Sequence, residues 1–476
     1  MLGLFGTLNM AARSLSTQRQ GSEVAGHNLA NVNTPGYARQ RLNIQESLAI
    51  PSDIGPQGAG AEGVAIQQLR DVLLDRQITR ETSVRSSLEA QQQALQLMES
   101  VLGQQIDTSA SGSEGAAAAA GVGGQQGLAE AFSELFNAFQ SLSTNPTSSS
   151  ERQILIIKAQ NLARQFNDVA ERLDDLRSTL NDSLASDVQS ANVALADIAK
   201  LNEQIAYTEA TSGGTANDLR DQRQKRIEDL AKLVQIDTAT NADGSLDLSI
   251  GGVTLVAGST MLDTLQTYDA GGGQMLVRTQ SGGTPLTLTS GSLQGTIDAR
   301  DGELASLQNN LDILAGNLIS AVNAAHASGY GLGGATGENF FTGTDAASIG
   351  VNAALVADPG KIQASGAAGA VGDNQVALAI AQIANKSIPA LGNQTLQQRY
   401  GQTVARLGQA ISSTTSQLSN QEIVERLLNQ QRDSISGVSL DEEMTDLIKF
   451  QRAYEASAKL IVTVDEMLET VVNLKR

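Results

Sequence analysis

Residues 439–472 read SLDEEMTDLIKFQRAYEASAKLIVTVDEMLETVV, and the spacing of their apolar members decides the fold. Leu440, Met444, Leu447, Tyr454, Ala458, Ile461, Leu468 and Val472 fall at alternating steps of three and four, with Gln451 and Asp465 as polar interruptions. That pattern predicts a heptad seam on one long helix. Ser439 and Glu442 have capping-box spacing, which places the helix start just after a break at Ser436-Gly437. The opposite end of the chain has the same character. From Leu4 to Ala30, residues Leu4, Leu8, Ala11, Ala12 and Leu15 mark one face of a second amphipathic helix. Neither terminal helix carries a complete core. Each can bury its stripe against the other, closing a rod, or against neighbouring copies, and the residues alone weight the two readings equally.

Working inward, the first helix ends at Asn33-Thr34-Pro35-Gly36, after which Tyr37–Ile44 reads as extended. Pro51, Gly55, Pro56, Gly58, Gly60 and Gly63 mark a turn region, and Val64–Leu102 is expected to be helical. Asp107–Gly127, rich in Ser, Gly and Ala, reads as a linker. Helices follow from Leu128 to Asn145-Pro146 and from Ser149 past Tyr207, the latter long enough to imply a bundle or rod. Between Val234 and Leu293 the period changes to two. Leu246, Leu248 and Ile250 alternate with polar residues, Gly251-Gly252 makes a turn, and Val253, Leu255 and Ala257 return, which sets Ile250 opposite Val253 and Leu248 opposite Leu255. Met275–Val277 and Leu286–Leu288 are candidate further strands. Helix resumes over Gly295–Ala325 and Asn374–Ala384, and again from Thr395.

The expected fold is therefore mainly α: a long helical bundle or rod with terminal coiled-coil helices and a small inserted β region. Residues 1–45 and 437–476 form the terminal part, 46–235 and 294–436 the central bundle, 236–293 the β-hairpin region and 342–372 a short variable outer loop region.

Composition narrows the function. Hydrophobic residues make up 41% of the 476 but aromatics only 3%, with no Trp, so Ala, Leu, Ile and Val must supply thin helical packing. A net charge of −19 without a basic block argues against nucleic acid and membrane partners. With no Cys and only His27 and His326, thiolate sites, cysteine nucleophiles and a His-based metal site lack their ligands, and no cofactor is expected. The N-terminus lacks the cationic region and apolar core of a cleaved signal peptide. Gly329-Tyr330-Gly331-Leu332-Gly333-Gly334 matches G-x-G-x-x-G, yet a helix precedes it and a loop follows, the wrong context for a dinucleotide. Asp174-Asp175 reads as a solvated helix face, Asp441-Glu442-Glu443 as a helix first turn and Asp243-Gly244 as a turn, so no catalytic constellation forms.

The run His27-Asn28-Leu29-Ala30-Asn31-Val32-Asn33-Thr34-Pro35-Gly36-Tyr37-Ala38-Arg39 resembles the N-terminal signature of flagellar rod, hook and hook-associated proteins. Leu142–Pro146 with Arg152, Leu201–Ile205, Asn217–Arg223, Asn323–Gly329 with Phe340-Phe341, and Ser436–Glu443 with the helix after it are similar to the hook-associated protein 1 family.

That resemblance implies a structural subunit at the hook-filament junction, exported by the flagellar type III apparatus without a cleaved signal peptide. Its implied partners are copies of itself in a ring or helical array, the hook protein, the second hook-filament junction protein and a cytoplasmic export chaperone. The residues expected at subunit contacts are Leu4, Leu8, Leu15, Leu29, Tyr37, Met444, Leu447, Tyr454, Ile461, Leu468 and Val472. The alternatives are another axial subunit of hook or rod, or a secreted adhesin or effector.

Overall fold

The computed structural model describes residues 3–49, 55–102 and 127–473; the linker Asp107–Gly127 lies outside them except for its last residue. Helix α1 spans Leu4–Ala30. Strands β1 (Gln40–Glu46) and β2 (Ala61–Gln68) then pair antiparallel, with Leu42 opposite Ile66 and a bulge at Asn43/Ile44. This corrects the reading of Val64–Leu102 as one helix, because residues 64–68 are strand and α2 covers only Val72–Leu102. The Asp71 carboxylate sets that boundary. Its Oδ1 accepts from the backbone N–H groups of Leu73 at 2.9 Å and Leu74 at 3.2 Å, the bonds of a helix N-cap.

Helix α3 (Leu128–Thr144) buries the whole stripe Leu128, Phe132, Leu135, Phe136, Phe139 and Leu142. Helix α4 (Ser149–Ser212) has 64 residues, a length of about 96 Å at 1.5 Å per residue. The Ser148 hydroxyl accepts from Glu151 N–H at its start, and Gly213 at φ 68° ends it in the left-handed region that a side chain would disfavour. Helix α5 covers Asn217–Leu233.

The β region comprises β3 (Asp237–Thr240), β4 (Leu246–Ile250), β5 (Val253–Ala257) and β6 (Thr260–Met261) in one antiparallel sheet, with β7 (Leu265–Asp269) and β8 (Met275–Thr279) as a separate hairpin. Ile250 lies opposite Val253 as expected, but Leu248 pairs with Val256 and not Leu255, because a bulge falls between Leu248 and Ser249. Leu255 and Val256 are both fully buried, and strict alternation cannot turn two neighbours inward. Leu286–Leu288 form no strand. Only Pro285 bridges to Arg278, and proline has no N–H with which to donate to a ladder.

Helix α6 (Ser292–Asp298) runs through a π-helical turn at Ala299–Leu304 into α7 (Ala305–His326). Two-residue strands β9 (Phe341–Thr342) and β10 (Gly350–Val351), and helices α8 (Ala353–Ala357) and α9 (Gln375–Ala381), follow. Helix α10 (Leu396–Ser436) opens with a reciprocal capping box between Thr395 and Gln398, and α11 covers Leu440–Asn473. The expected box between Ser439 and Glu442 is replaced: Glu442 Oε2 accepts from Arg39 Nη1 at 2.6 Å.

Two apolar cores share α4. One packs its residues up to Leu180 with α3, α7, the ends of α2 and α10 that adjoin it, and residues 340–391; the other packs α4 from Leu184 with α5, β4, β5 and Leu293. Residues 342–372 contribute Ala346, Ile349, Leu355, Ile362 and Ala364 to the first core. The glycine-rich loop lies along this segment, with Tyr330 N–H donating to Ser365 O at 2.8 Å and Leu332 N–H to Gly360 O at 2.9 Å. A Cβ at Gly331 would sit 2.9 Å from Lys361 O, so these glycines serve close backbone approach.

His326, fully buried, donates from Nδ1 to Glu338 O at 2.8 Å and accepts at Nε2 from Gln363 N–H at 2.9 Å. Burial pulls its pKa down to about 4, so it stays neutral. Between 6.5 and about 4 the unfolded chain binds a proton that the folded chain refuses, so His326 makes stability fall with falling pH by about 1.4 kcal/mol per unit. Asp221, pushed up to about 6 by burial, acts with the opposite sign in part of that window. Comparing urea midpoints of the native chain and His326→Gln from pH 7 to 4 isolates the histidine. The difference between them should narrow as pH falls; a constant difference rules the effect out.

Candidate assembly interface

Helices α1 and α11 pack along each other. The buried residues of α1 are small, namely Ala11, Thr17, Gly21, Val24, Ala25 and Asn28, and the helix also packs on the β1–β2 pair, where the Thr17 hydroxyl donates to Ala61 O at 3.2 Å. Gly21 admits the Phe450 ring, since an added Cβ would lie 2.5 Å from Phe450 Cε1, and the Ser14 and Ser457 hydroxyls meet at 3.0 Å. On α11 the buried positions are Glu443 and Val464, with Asp446, Leu447, Phe450, Ala453, Ser457, Ala458, Ile461 and Leu468 half-buried, so Ala458 of the expected second row keeps part of its cover. One row of the expected seam, through Leu447, Ile461 and Leu468, is therefore retained. The second row is displaced by one residue, to Glu443, Phe450, Ser457 and Val464, which removes Gln451 and Asp465 from the contact.

The helix pair is joined to the hairpin by a buried polar cluster. Asn28, 1% exposed, donates from Nδ2 to Gln40 O at 2.8 Å and to Glu443 Oε2 at 2.9 Å. Its Oδ1 accepts from the Tyr37 hydroxyl at 2.8 Å and from Gln40 N–H at 2.9 Å, so all four of its hydrogen-bonding positions are used. The Arg39 guanidinium faces Glu443 Oε1 from Nε at 2.6 Å and Glu442 from Nη1. Because the Tyr37 proton points at Asn28, His27 Nδ1, 3.0 Å away, donates to the phenol oxygen. Burial and the nearby Asp218, Asp221 and Glu443 carboxylates push the Tyr37 phenol well above its ordinary range, which keeps it a donor.

Helix α5 seats the hairpin. Asp221, 7% exposed, accepts from Ala38 N–H at 3.1 Å and Gln68 Nε2 at 2.8 Å and faces Arg70 at 3.4 Å, while Asp218 accepts from Gln40 Nε2 at 2.7 Å. The same helix holds the β region. Arg223 donates to Asn202 Oδ1 and to Gly244 O, both at 2.8 Å, and Asn202 in turn donates to Leu246 O and Gly258 O. Burial draws Arg223 down to about 10, still cationic at neutral pH. The strings Leu201–Ile205 and Asn217–Arg223 are thus parts of one joint.

Of the residues expected at subunit contacts, Leu4, Leu8, Leu15, Leu29, Tyr37, Leu447, Ile461 and Leu468 are half-buried in the single chain, while Met444, Tyr454 and Val472 are exposed. The polar cluster unites only Tyr37 with groups to which no role was assigned: Asn28, Arg39, Gln40, Asp221 and Glu443. A signal for Asn28 was present, since it lies seven residues beyond Gly21 and fourteen beyond Ser14, on the row that faces α11.

Residues 121–341 match the model of the flagellar hook-associated protein FlgK helical domain, residues 8–37 that of the flagella basal body rod protein, and residues 429–474 that of the flagellar basal body rod FlgEFG protein C-terminal region. Flagellar hook-associated protein 1 of Bacillus subtilis is 28% identical over 520 residues, covering 99% of each chain, and that of Salmonella typhimurium is 23% identical over 98% of this chain and 99% of its own. Over nearly its whole length the chain is similar to the flagellar hook-associated protein 1 family. The hook junction protein FlgK of Burkholderia pseudomallei shares the fold at a TM-score of 0.63 and 18% identity, with 76% of this chain covering all of that one. Within the family frame, the two terminal matches take in α1 and α11, and the helical-domain match takes in α3, α4, α5 and the β region. The family is a structural one, and the protein is a component of the flagellum. Among the described residues no helix is long and apolar enough to cross a membrane.

Proposed function

We propose that this chain joins hook to filament, and that residues 1–45 with 437–476 are its assembly unit. The observation that carries this reading is the incomplete closure of α11. Leu440, Met444, Ile448, Val462, Met467 and Val472 are 49–69% exposed, although the helix already packs on α1. Copies of the chain in a ring or helical array cover those residues, with the hook protein on one side and the second junction protein on the other. Apolar burial, at roughly 25 cal/mol per Å², outweighs the ordering cost of the termini only when several neighbours are present, so assembly follows the template below. Before export, a cytoplasmic chaperone shields the C-terminal region. The role is structural, with no catalytic step.

The terminal matches to rod-protein models would suit any axial subunit; the helical-domain match over 121–341 favours the junction protein. Deleting the gene in its motile host is the test. Complete hooks, absent filaments and flagellin monomers in the medium are expected, whereas filaments that still grow would refute the junction role.

A further inference from the structure

Helix α11 carries two overlapping apolar stripes that share the row Leu447, Tyr454, Ile461 and Leu468. One is completed by Glu443, Phe450, Ser457 and Val464, the other by Met444, Gln451, Ala458, Asp465 and Val472. Each second row mixes apolar and polar residues, so apolar burial alone does not choose between them. Gly21 makes room for Phe450 but would equally admit a slimmer side chain, so it permits the observed face without requiring it.

What distinguishes the faces is the buried polar cluster. Glu443, 3% exposed, can receive Asn28 Nδ2 and the Arg39 guanidinium only while its own row points at α1. Turning α11 about its axis to bring Met444 inward would leave Asn28 without its carboxylate and bury a group with nothing to accept its proton, a cost the apolar rows cannot match. A single buried polar contact fixing the register of a coiled coil has this physical basis.

We propose that Asn28, Arg39 and Glu443 form a lock that selects which face of α11 turns toward α1, leaving the Met444 stripe free for a second copy of the chain. The second copy as occupant rests on the assembly reading above; the selection of the face is a property of the single chain and is tested on it. The outward stripe is continuous with the α1–α11 contact through the shared row, so a neighbour seated on it extends one seam.

The native chain has no Cys, so introduced cysteines report unambiguously. Ser14 and Ser457 approach within hydrogen-bond distance, and Ser457 lies about 21 Å along the helix from Glu443, too far to feel a local disturbance. In purified monomer, Ser14→Cys with Ser457→Cys should form a disulfide in high yield. Adding Glu443→Gln, which keeps an acceptor for Asn28, should preserve most of it. Adding Glu443→Lys, which offers Asn28 no acceptor, repels Arg39 and adds no apolar surface to this row, should lower the yield about tenfold, and should slow maleimide labelling at Met444→Cys by a similar factor as that face turns inward. Three results overturn the proposal: no disulfide without a lock mutation, an undiminished disulfide with Glu443→Lys, or a lost disulfide with labelling at Met444→Cys as fast as before, which would mean that the helix detaches and does not turn. None of these depends on hook or filament.

Discussion

Ile461→Asp is expected to yield a chain that folds and melts nearly as the native one does, yet never enters the flagellum. In the single chain Ile461 is half-buried, so an aspartate there keeps part of its hydration, and neither apolar core includes any residue of α11. The change in the urea midpoint of the central bundle should correspond to less than about 1 kcal/mol. On the assembly proposed above, neighbours close off the same position, and a carboxylate with no partner must then be desolvated in every copy of the array. That costs several kcal/mol per subunit and leaves no favourable closed state. Cells carrying the variant should be non-motile, with complete hooks and flagellin leaking as in the deletion, and Leu447→Asp should behave alike. Normal filaments would sink the interface assignment. Global unfolding of the isolated variant would sink the separation of terminal and central parts.

The helices were legible because their signals are local and repeated. Leu4–Ala30 and Ser149–Ser212 are bounded by a turn and by a cap and a left-handed glycine, and their stripes recur over many turns. What the sequence hid depends on choices between near-equal alternatives. A leucine-based reading of α11 picks the Met444 row, since nothing local says that a glutamate, Glu443, is buried; its reason lies in Asn28, 415 residues away. Likewise Val64 and Ile66 fit either a helix or a strand, and the Asp71 cap, with partner β1 across the turn, decides for the strand. The β4/β5 register slipped because a bulge is set by the packing of Leu255 and Val256, which alternation cannot express. The candidate site was half legible: Tyr37 follows from the Thr34-Pro35-Gly36 turn, but the groups it joins become neighbours only when four elements converge.

Arg152→Met should produce the largest loss of stability in the central bundle. Arg152 is 1% exposed, and every bond it makes in the first core goes to a backbone carbonyl: Nε and Nη2 to Pro146 O at 3.0 and 2.8 Å, and Nη1 to Ile362 O at 2.6 Å, with Pro359 O and Gly360 O at 3.2 and 3.3 Å. One guanidinium thus ties the turn before α4 to the segment before α9, using a planar fork that no other side chain offers. Burial depresses its pKa, which shows that the site charges a desolvation cost against it. Methionine fills most of the volume and removes that cost, but leaves the Pro146 and Ile362 carbonyls without a donor at about 1–3 kcal/mol each. The net loss should be about 3 kcal/mol, a fall in Tm of roughly 4 °C for a bundle of this size. Arg152→Lys should lose about half as much, because one ammonium cannot reach both carbonyl groups in the same geometry. Early proteolytic cleavage within residues 342–372, ahead of any cleavage in the β region, should accompany the loss. An unchanged melting curve for Arg152→Met would show that the apolar contacts of Ile349, Leu355 and Ile362 hold this layer by themselves.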